Sequence, residues 1–328
     1  MRILVTGGAG YIGCHTVKLL LEKGYEPIIF DNLSTGHAEL LPGGILIQAD
    51  LREKFKIEET IRQYKIEAVI HFAALIQVGE SYENPKLYYS HNLITTLNLL
   101  EAMLEAGVNK FVFSSSAAVY GQPQFIPITE DHPLNPVNPY GRTKAFIEKI
   151  IEDLGRAHNL NYVSLRYFNA AGADLDGRRG ELHNPETHLI PNLMLHLLNK
   201  RPYFELYGHD FPTPDGTAIR DYIHVLDLAE AHVLALELLG KEKIHEVFNL
   251  GTGQGYSVKE IISLVEQITG KKVNLVIKPK RQGDVPILMA SKEKAIKKLH
   301  WQPRYSDIET IIKSAWNWHL YQVGQSYK

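Results

Sequence analysis

The segment 2–23 constrains the fold more than any other part of the chain. A short apolar, β-branched run at 2–6 leads straight into Gly7-Gly8-Ala9-Gly10-Tyr11-Ile12-Gly13, and an amphipathic stretch at 12–23 follows. Gly7, Gly10 and Gly13 stand in GxxGxxG spacing. Residues without a Cβ let the backbone turn tightly and approach a pyrophosphate, whose charge then faces the N–H groups of a helix start. Tight turns use glycine for their own sake, so the spacing gains meaning only from the strand before it, the helix after it and an acid in register. That acid is Asp31, at the end of the next apolar run. There it can accept a hydrogen bond from a ribose 2′-hydroxyl and repel a 2′-phosphate, which selects NAD over NADP. A strand-end aspartate that only solvates a turn is the competing reading.

The first half repeats this alternation. Further strand-like runs fall at 28–31, 45–49, 68–72, 111–114 and 162–166, and helix-like stretches at 57–64, 87–106 and 141–158. In the longest, Leu93, Leu97, Leu100 and Leu104 are spaced as one helical face. Pro27 lacks the N–H that a central strand uses, so the second strand is expected to begin after it. Apolar strands alternating with helices predict a doubly wound, parallel α/β sheet of the Rossmann kind. Beyond residue 171 the texture changes. Polar 172–191 reads as a surface loop, and loops at 208–216 and 251–255 separate helices expected near 188–199, 226–239, 257–269 and 307–319. The expected division is a first domain at 1–171 and a smaller α/β substrate domain at 172–328. The run 247–250 is a candidate strand returning to the first sheet.

Tyr140-Gly141-Arg142-Thr143-Lys144 sets a phenol and an ammonium at i and i+4 of an expected helix, on one face. A phenol ionises near ~10, too high for a neutral-pH base, and a neighbouring cation, with an oxidised nicotinamide, would lower it. The spacing alone proves little, because Tyr82 and Lys86 repeat it, although Pro85 disfavours a helix there. The deciding partner is Ser114-Ser115-Ser116, at the carboxyl end of an apolar strand, where open α/β sheets bind ligands. Ser116 beside Tyr140 would hold a substrate hydroxyl. The set points to hydride transfer between a carbinol and a carbonyl.

These residues resemble the extended short-chain dehydrogenase/reductase superfamily, and within it the UDP-glucose (UDP-galactose) 4-epimerases, over nearly the whole chain. The likeness rests on TGGAGYIG at 6–13, Asp31-Asn32-Leu33, HFAA at 71–74 with Val78-Gly79-Glu80-Ser81, SSSAAVYG at 114–121, 140–144, RYFN at 166–169 and DGTAIRDYIHV at 215–225. The resemblance implies a cofactor site in which Gly7, Gly10, Tyr11, Ile12 and Gly13 hold the pyrophosphate. Asp31 and Asn32 would meet the adenosine ribose, and Asp50 and Leu51 the adenine region. Phe72, Ala73, Ala74 and Asn92 would line the cofactor, and Phe168 would approach the nicotinamide. Ser116, Tyr140 and Lys144 would be the catalytic set. Asn169, His188, Leu189, Tyr207, Arg220, Arg281 and Asp284 match UDP-contacting positions, and arginine forks suit diphosphate oxygens. The implied reaction is C4 epimerisation of a UDP-hexose in galactose metabolism, through a 4-keto sugar and with NAD kept tightly bound. Helices 87–106 and 141–158 resemble those that pair in relatives, which implies a homodimer.

Departures from the family pattern inform as well. Relatives that eliminate water carry an acid after the active-site serine or threonine, where this chain has Ala117 and Ala118. Ile76 stands where many members place a lysine near the cofactor phosphates. Leu288 matches a position whose bulk decides whether an N-acetyl group fits, so UDP-N-acetylglucosamine stays open, as do UDP-glucuronate and UDP-pentoses. A non-catalytic NAD-binding sensor on the same fold is the alternative of another class. A net charge of −2 gives no basic field for nucleic acid. One cysteine, Cys14, makes no internal disulfide and suits a reducing compartment. No run approaches the ~20 apolar residues of a membrane helix, so a soluble cytoplasmic protein is expected. Among fifteen histidines no HExxH or paired Cys/His spacing occurs, and His183 with His188 reads as a loop pair without a metal. The lysines of 292–298 read as a solvated face, and the aromatic residues near the C-terminus (Trp301, Trp316, Trp318, Tyr321) as packing.

Overall fold

The expected strand, turn and helix open the chain as β1 (Arg2–Thr6) and α1 (Tyr11–Glu22). The computed structural model describes residues 1–324. The alternation continues through β2 (Glu26–Asp31), β3 (Ile45–Gln48), α2 (Lys54–Tyr64), β4 (Ala68–His71), α3 (Val78–Glu83), α4 (Pro85–Tyr88), α5 (Ile94–Glu105), β5 (Lys110–Ser114), α6 (Pro139–His158) and β6 (Asn161–Tyr167). Then follow β7 (Asn169–Ala171), α7 (Leu189–Leu197), β8 (Phe204–Tyr207), β9 (Ile219–His224), α8 (Val225–Lys241) and β10 (His245–Leu250). The chain goes on through β11 (Gly255–Ser257), α9 (Val258–Thr269), β12 (Leu275–Lys278), β13 (Ile287–Leu288) and α10 (Ile308–Gln322).

Seven parallel strands pair in the order β3-β2-β1-β4-β5-β6-β10. Central strands are buried on both faces, which is why they read as unbroken apolar runs. One face packs on α1 and α8, and the other on α2, α5 and α6. Strand order reverses between β1 and β4, and the crevice at their carboxyl ends is where such sheets take ligands. The later residues build a second assembly. There β9 pairs with β7, β11 and β13, β8 pairs with β12, and helices α7, α9 and α10 share one apolar core. Two elements beyond residue 172, α8 and β10, belong to the first layer. Trp301, Trp316 and Trp318 are buried as packing residues, whereas Tyr321, expected to pack with them, is exposed and only stacks on Trp318.

Three local expectations need correction. Strand β2 begins at Glu26 and so contains Pro27. Pro27 pairs with Ile3 of β1, while β3 joins only from Ile28, so the missing N–H falls where the strand has a single neighbour. The helix expected over 87–106 is α4 and α5 joined by a π turn at Tyr89–Leu93. Its core face is Thr96, Leu99, Leu100 and Met103, whereas Leu97 and Ile94 point outward. The short strands of the second assembly carried no signal. In β9 the buried face includes Asp221, whose carboxylate accepts from the N–H groups of Thr252, Gly253 and Ala290.

Candidate active site

The glycine turn is closed from within by contacts that leave no room for side chains. Gly7 has φ +69°, and a Cβ there would lie 2.6 Å from the Ala73 nitrogen. The turn therefore rests on Phe72 and Ala73, at the carboxyl end of β4, with Ala74 next along the chain. Gly10 caps α1 without any side-chain hydrogen bond, and the first turn holds no acid. The positive end of that helix, with Tyr11, Ile12 and Gly13, is thus open to an anion. This donor set fits the pyrophosphate of a dinucleotide. A Cβ on Gly13 would lie 2.4 Å from the Gly7 carbonyl oxygen and 2.7 Å from Gly8 Cα. Gly13→Ala is expected to cost about 1–3 kcal/mol and to abolish NAD co-purification, as measured by cofactor released on denaturation.

Around the turn stand the other residues expected at the cofactor. Asp31 accepts from the N–H groups of Ala9 at 3.0 Å and Leu33 at 2.9 Å, and burial raises its pKa. It ties the end of β2 to the glycine turn, which is the turn-solvating role. Asn32 donates to Asp50 at 2.9 Å, and the Arg52 guanidinium holds the Asp50 carboxyl far below its usual range. Leu51 is buried beside them. Asn92 sits in the π turn, where its side chain bonds both backbone groups of Leu75 and donates to Thr143 at 3.1 Å. That amide bridges the loop after β4 to α6. Ile76 is exposed.

Tyr140, Ser116 and Lys144 do meet. Asn138 caps α6, accepting from Gly141 N–H, and Pro139 begins the helix. One turn of helix then separates Tyr140 from Lys144, both buried. Ser116 is close enough to the Tyr140 phenol to ease its ionisation, and its Oγ accepts from Ala118 N–H at 3.1 Å. Lys144 Nζ donates to the Ser114 carbonyl at 2.8 Å and lies 6.0 Å from the Tyr140 ring centroid. Burial governs the ionisation of both groups. It pushes the phenol well above its usual range, with Tyr167 adding to the rise and Ser116 opposing it. It pushes Lys144 down to about 7, against the pull of Glu148. The expected lowering of the phenol by Lys144 is not found: desolvation governs the ionisation of Tyr140.

Two features of this site escaped sequence reasoning. A Cβ on Gly141 would meet the Ala118 carbonyl oxygen at 2.4 Å, so only glycine lets the serine segment lie against the start of α6. A glycine in the first turn of a helix, where propensity disfavours it, was the available signal. The second is a buried network under both elements. Arg166 forks onto Glu148 and bonds Tyr120 at 2.9 Å, while Ser115 donates to Glu148 at 2.5 Å. Tyr120 in turn donates to Asn249.

The expected nucleotide-sugar residues gather at the second assembly. Arg281 stands over the Tyr207 ring at 5.2 Å and pairs with Asp284 at 3.1 Å. Arg220 is half-buried and donates to the Ile219 carbonyl, and burial lowers its pKa while Asp284 opposes the fall. Leu288 pairs in register with Arg220 and packs against a cluster that includes Ala117 and Phe168. Asn169 opens β7 directly after Phe168. Leu189 begins α7 and packs on the second core, whereas the His188 ring is engaged by Glu181 and Glu186.

The sequence profile of the NAD dependent epimerase/dehydratase family matches residues 3–251. The chain is 51% identical to a UDP-glucose 4-epimerase of Halalkalibacterium halodurans, over 97% of this chain and 96% of that one. It superposes on a UDP-glucose 4-epimerase from Brucella ovis in complex with NAD, at 48% identity and TM-score 0.93, covering 96% of this chain and 97% of that one. A UDP-glucose 4-epimerase from Bifidobacterium longum in complex with NAD+ and UDP matches at 39% identity and TM-score 0.95, over 98% and 99% of the two chains.

Proposed function

The chain belongs to the NAD-dependent epimerase/dehydratase family, and from that premise we propose the following reading of its site. The chain interconverts C4 epimers of a UDP-hexose, UDP-glucose with UDP-galactose, through a 4-keto intermediate and with NAD as tightly held cofactor. The observation that carries the assignment of roles is the placement of buried Tyr140 and Lys144 on one turn of α6, against the serine segment at the carboxyl end of β5. NAD held at the glycine turn would supply a reversible hydride acceptor for C4 and, in its oxidised form, a positive charge that favours the phenolate. Tyr140 Oη takes the C4 hydroxyl proton and later gives it back. Ser116 Oγ orients the same oxygen. Lys144 holds the cofactor ribose and supports the phenolate. Arg220 and Arg281 grip the diphosphate, which keeps the sugar tethered while it turns. Ala117 and Ala118 offer no acid for water elimination, which sets the reaction apart from dehydration.

The test uses purified protein without added cofactor. NAD should be released on denaturation, and UDP-galactose should be converted before it. A panel with UDP-N-acetylglucosamine, UDP-glucuronate and UDP-pentoses reads the tolerance set by Leu288. Failure to interconvert any UDP-sugar C4 pair would sink the assignment.

Two further readings belong here. The single free thiol, Cys14, is buried, which supports a reducing, cytoplasmic setting, and no helix among the described residues is long and apolar enough to cross a membrane. Ile94 and Leu97 on α5, Leu87 on α4 and Phe146 on α6 form an exposed apolar stripe on adjacent helices, a surface that monomers rarely leave bare. It supports a homodimer formed by these helices. Leu97→Glu combined with Phe146→Glu is expected to convert dimer to monomer in sedimentation, with the fold retained.

A further inference from the structure

The 172–188 loop ends in a cluster to which the roles proposed above assign no side chain, the His188 ring being turned to Glu181 and Glu186. Glu181, His183, Glu186 and His188 each offer one ligand atom, and all four atoms lie within 4.8 Å of one another. Both imidazoles turn Nδ1 toward the same two carboxylates. His183 Nδ1 is 3.1 Å from Glu181 Oε1 and 3.8 Å from Glu186 Oε2, and His188 Nδ1 is 3.6 Å from Glu186 Oε1 and in contact with Glu181 Oε1. Donors around a tetrahedral ion with bonds of ~2.1 Å stand roughly 3.4 Å apart. Three of the four imidazole-to-carboxylate separations bracket that value, while His188 and Glu181 are in direct contact. Both carboxylates are buried, and two carboxylates with two neutral imidazoles balance one divalent charge.

We propose that Glu181, His183, Glu186 and His188 bind one divalent transition-metal ion of the zinc class. Two nitrogen donors disfavour the hard cations, which take oxygen, and four protein ligands make a closed, structural site. The shell around it is fixed. The Glu181 carbonyl accepts from Trp318 Nε1 at 2.9 Å, the Leu182 carbonyl bonds with His37 Nε2 at 3.1 Å, and the Glu186 carbonyl accepts from Arg201 at 3.2 Å. The Tyr11 hydroxyl donates to the Gly172 carbonyl at 2.6 Å, where the same loop begins. The ion clips this loop where it joins the second core to the cofactor turn and the segment after β2.

The holoenzyme, stripped with a chelator and titrated with Zn²⁺ alone, should take up one tight equivalent, counted by competition with a chromogenic chelator. At ~100-fold excess over the dissociation constant its thermal midpoint should rise by about 3 °C or more, whereas Mg²⁺ at the same concentration should leave it unmoved. His183→Ala and, separately, Glu186→Gln should weaken uptake at least ~100-fold. A control substitution at exposed His158 should not. Absence of stoichiometric uptake by the wild type would overturn the site, independently of how any variant folds. Equal stabilisation by Mg²⁺, or unchanged uptake in both variants, would overturn it as well.

Discussion

Tyr140→Phe is expected to lower UDP-galactose turnover by at least ~10²-fold while NAD stays bound. The substitution removes one oxygen and keeps the ring, so the packing that buries Tyr140 persists. What disappears is the phenolic oxygen proposed as the proton acceptor for the C4 hydroxyl. Two measurements on one preparation check it: turnover, and NAD released on denaturation. A variant that turns over at the wild-type rate would remove Tyr140 from the base role. A protein that served only as an NAD-binding sensor would be indifferent to the change, and this experiment separates that reading from catalysis. Loss of NAD together with activity would instead show that the phenol is needed to seat the cofactor.

The second large effect concerns Arg166. Arg166→Met is expected to destabilise the fold by about 3–5 kcal/mol, because it strands the buried carboxylate of Glu148. Glu148 is 7% exposed, and beyond Arg166 it keeps only the Ser115 hydroxyl as a side-chain partner in the network. Thermal denaturation of the single variant and of Glu148→Gln with Arg166→Met gives the answer. The double variant should recover a large part of the loss, since no charge is then left unpaired. A single variant within about 1 kcal/mol of wild type would show the pair to be dispensable. Activity should also fall in the single variant at temperatures where it remains folded. Glu148 stands one turn beyond Lys144 on α6 and holds Ser115, the neighbour of Ser116, so its displacement moves both sides of the catalytic pair.

Much of the cofactor turn was legible because its signals are local. Strand β1, the glycines and α1 follow one another without interruption, and the steric demand at Gly7 and Gly13 is written into the absence of a Cβ. The pairing of Tyr140 with Lys144 was legible for the same reason, as a helical spacing of four. Ser116 could be found because an apolar strand ends just before it. The apolar spacing of 93–104 misled because α5 has two apolar faces, one for the core and one for the outside, and a single sequence does not rank them. Pro27 misled because the cost of a missing N–H depends on how many strands lie alongside, and β3 begins one residue later.

The linear chain determined which residues could turn tightly, share a helix face or end a strand, since these are properties of segments a few residues long. It also determined the absence of an acid after Ser116. Only the tertiary structure decided which groups lose water. Burial reversed the simple expectation for Tyr140 and Lys144, because desolvation is set by everything packed around a side chain. It also decided which distant residues meet: Arg166 with Glu148, Gly141 with Ala118, and Arg281 with Tyr207. Such contacts depend on how loops and helices fold back on one another in space, and no periodicity along the chain encodes them.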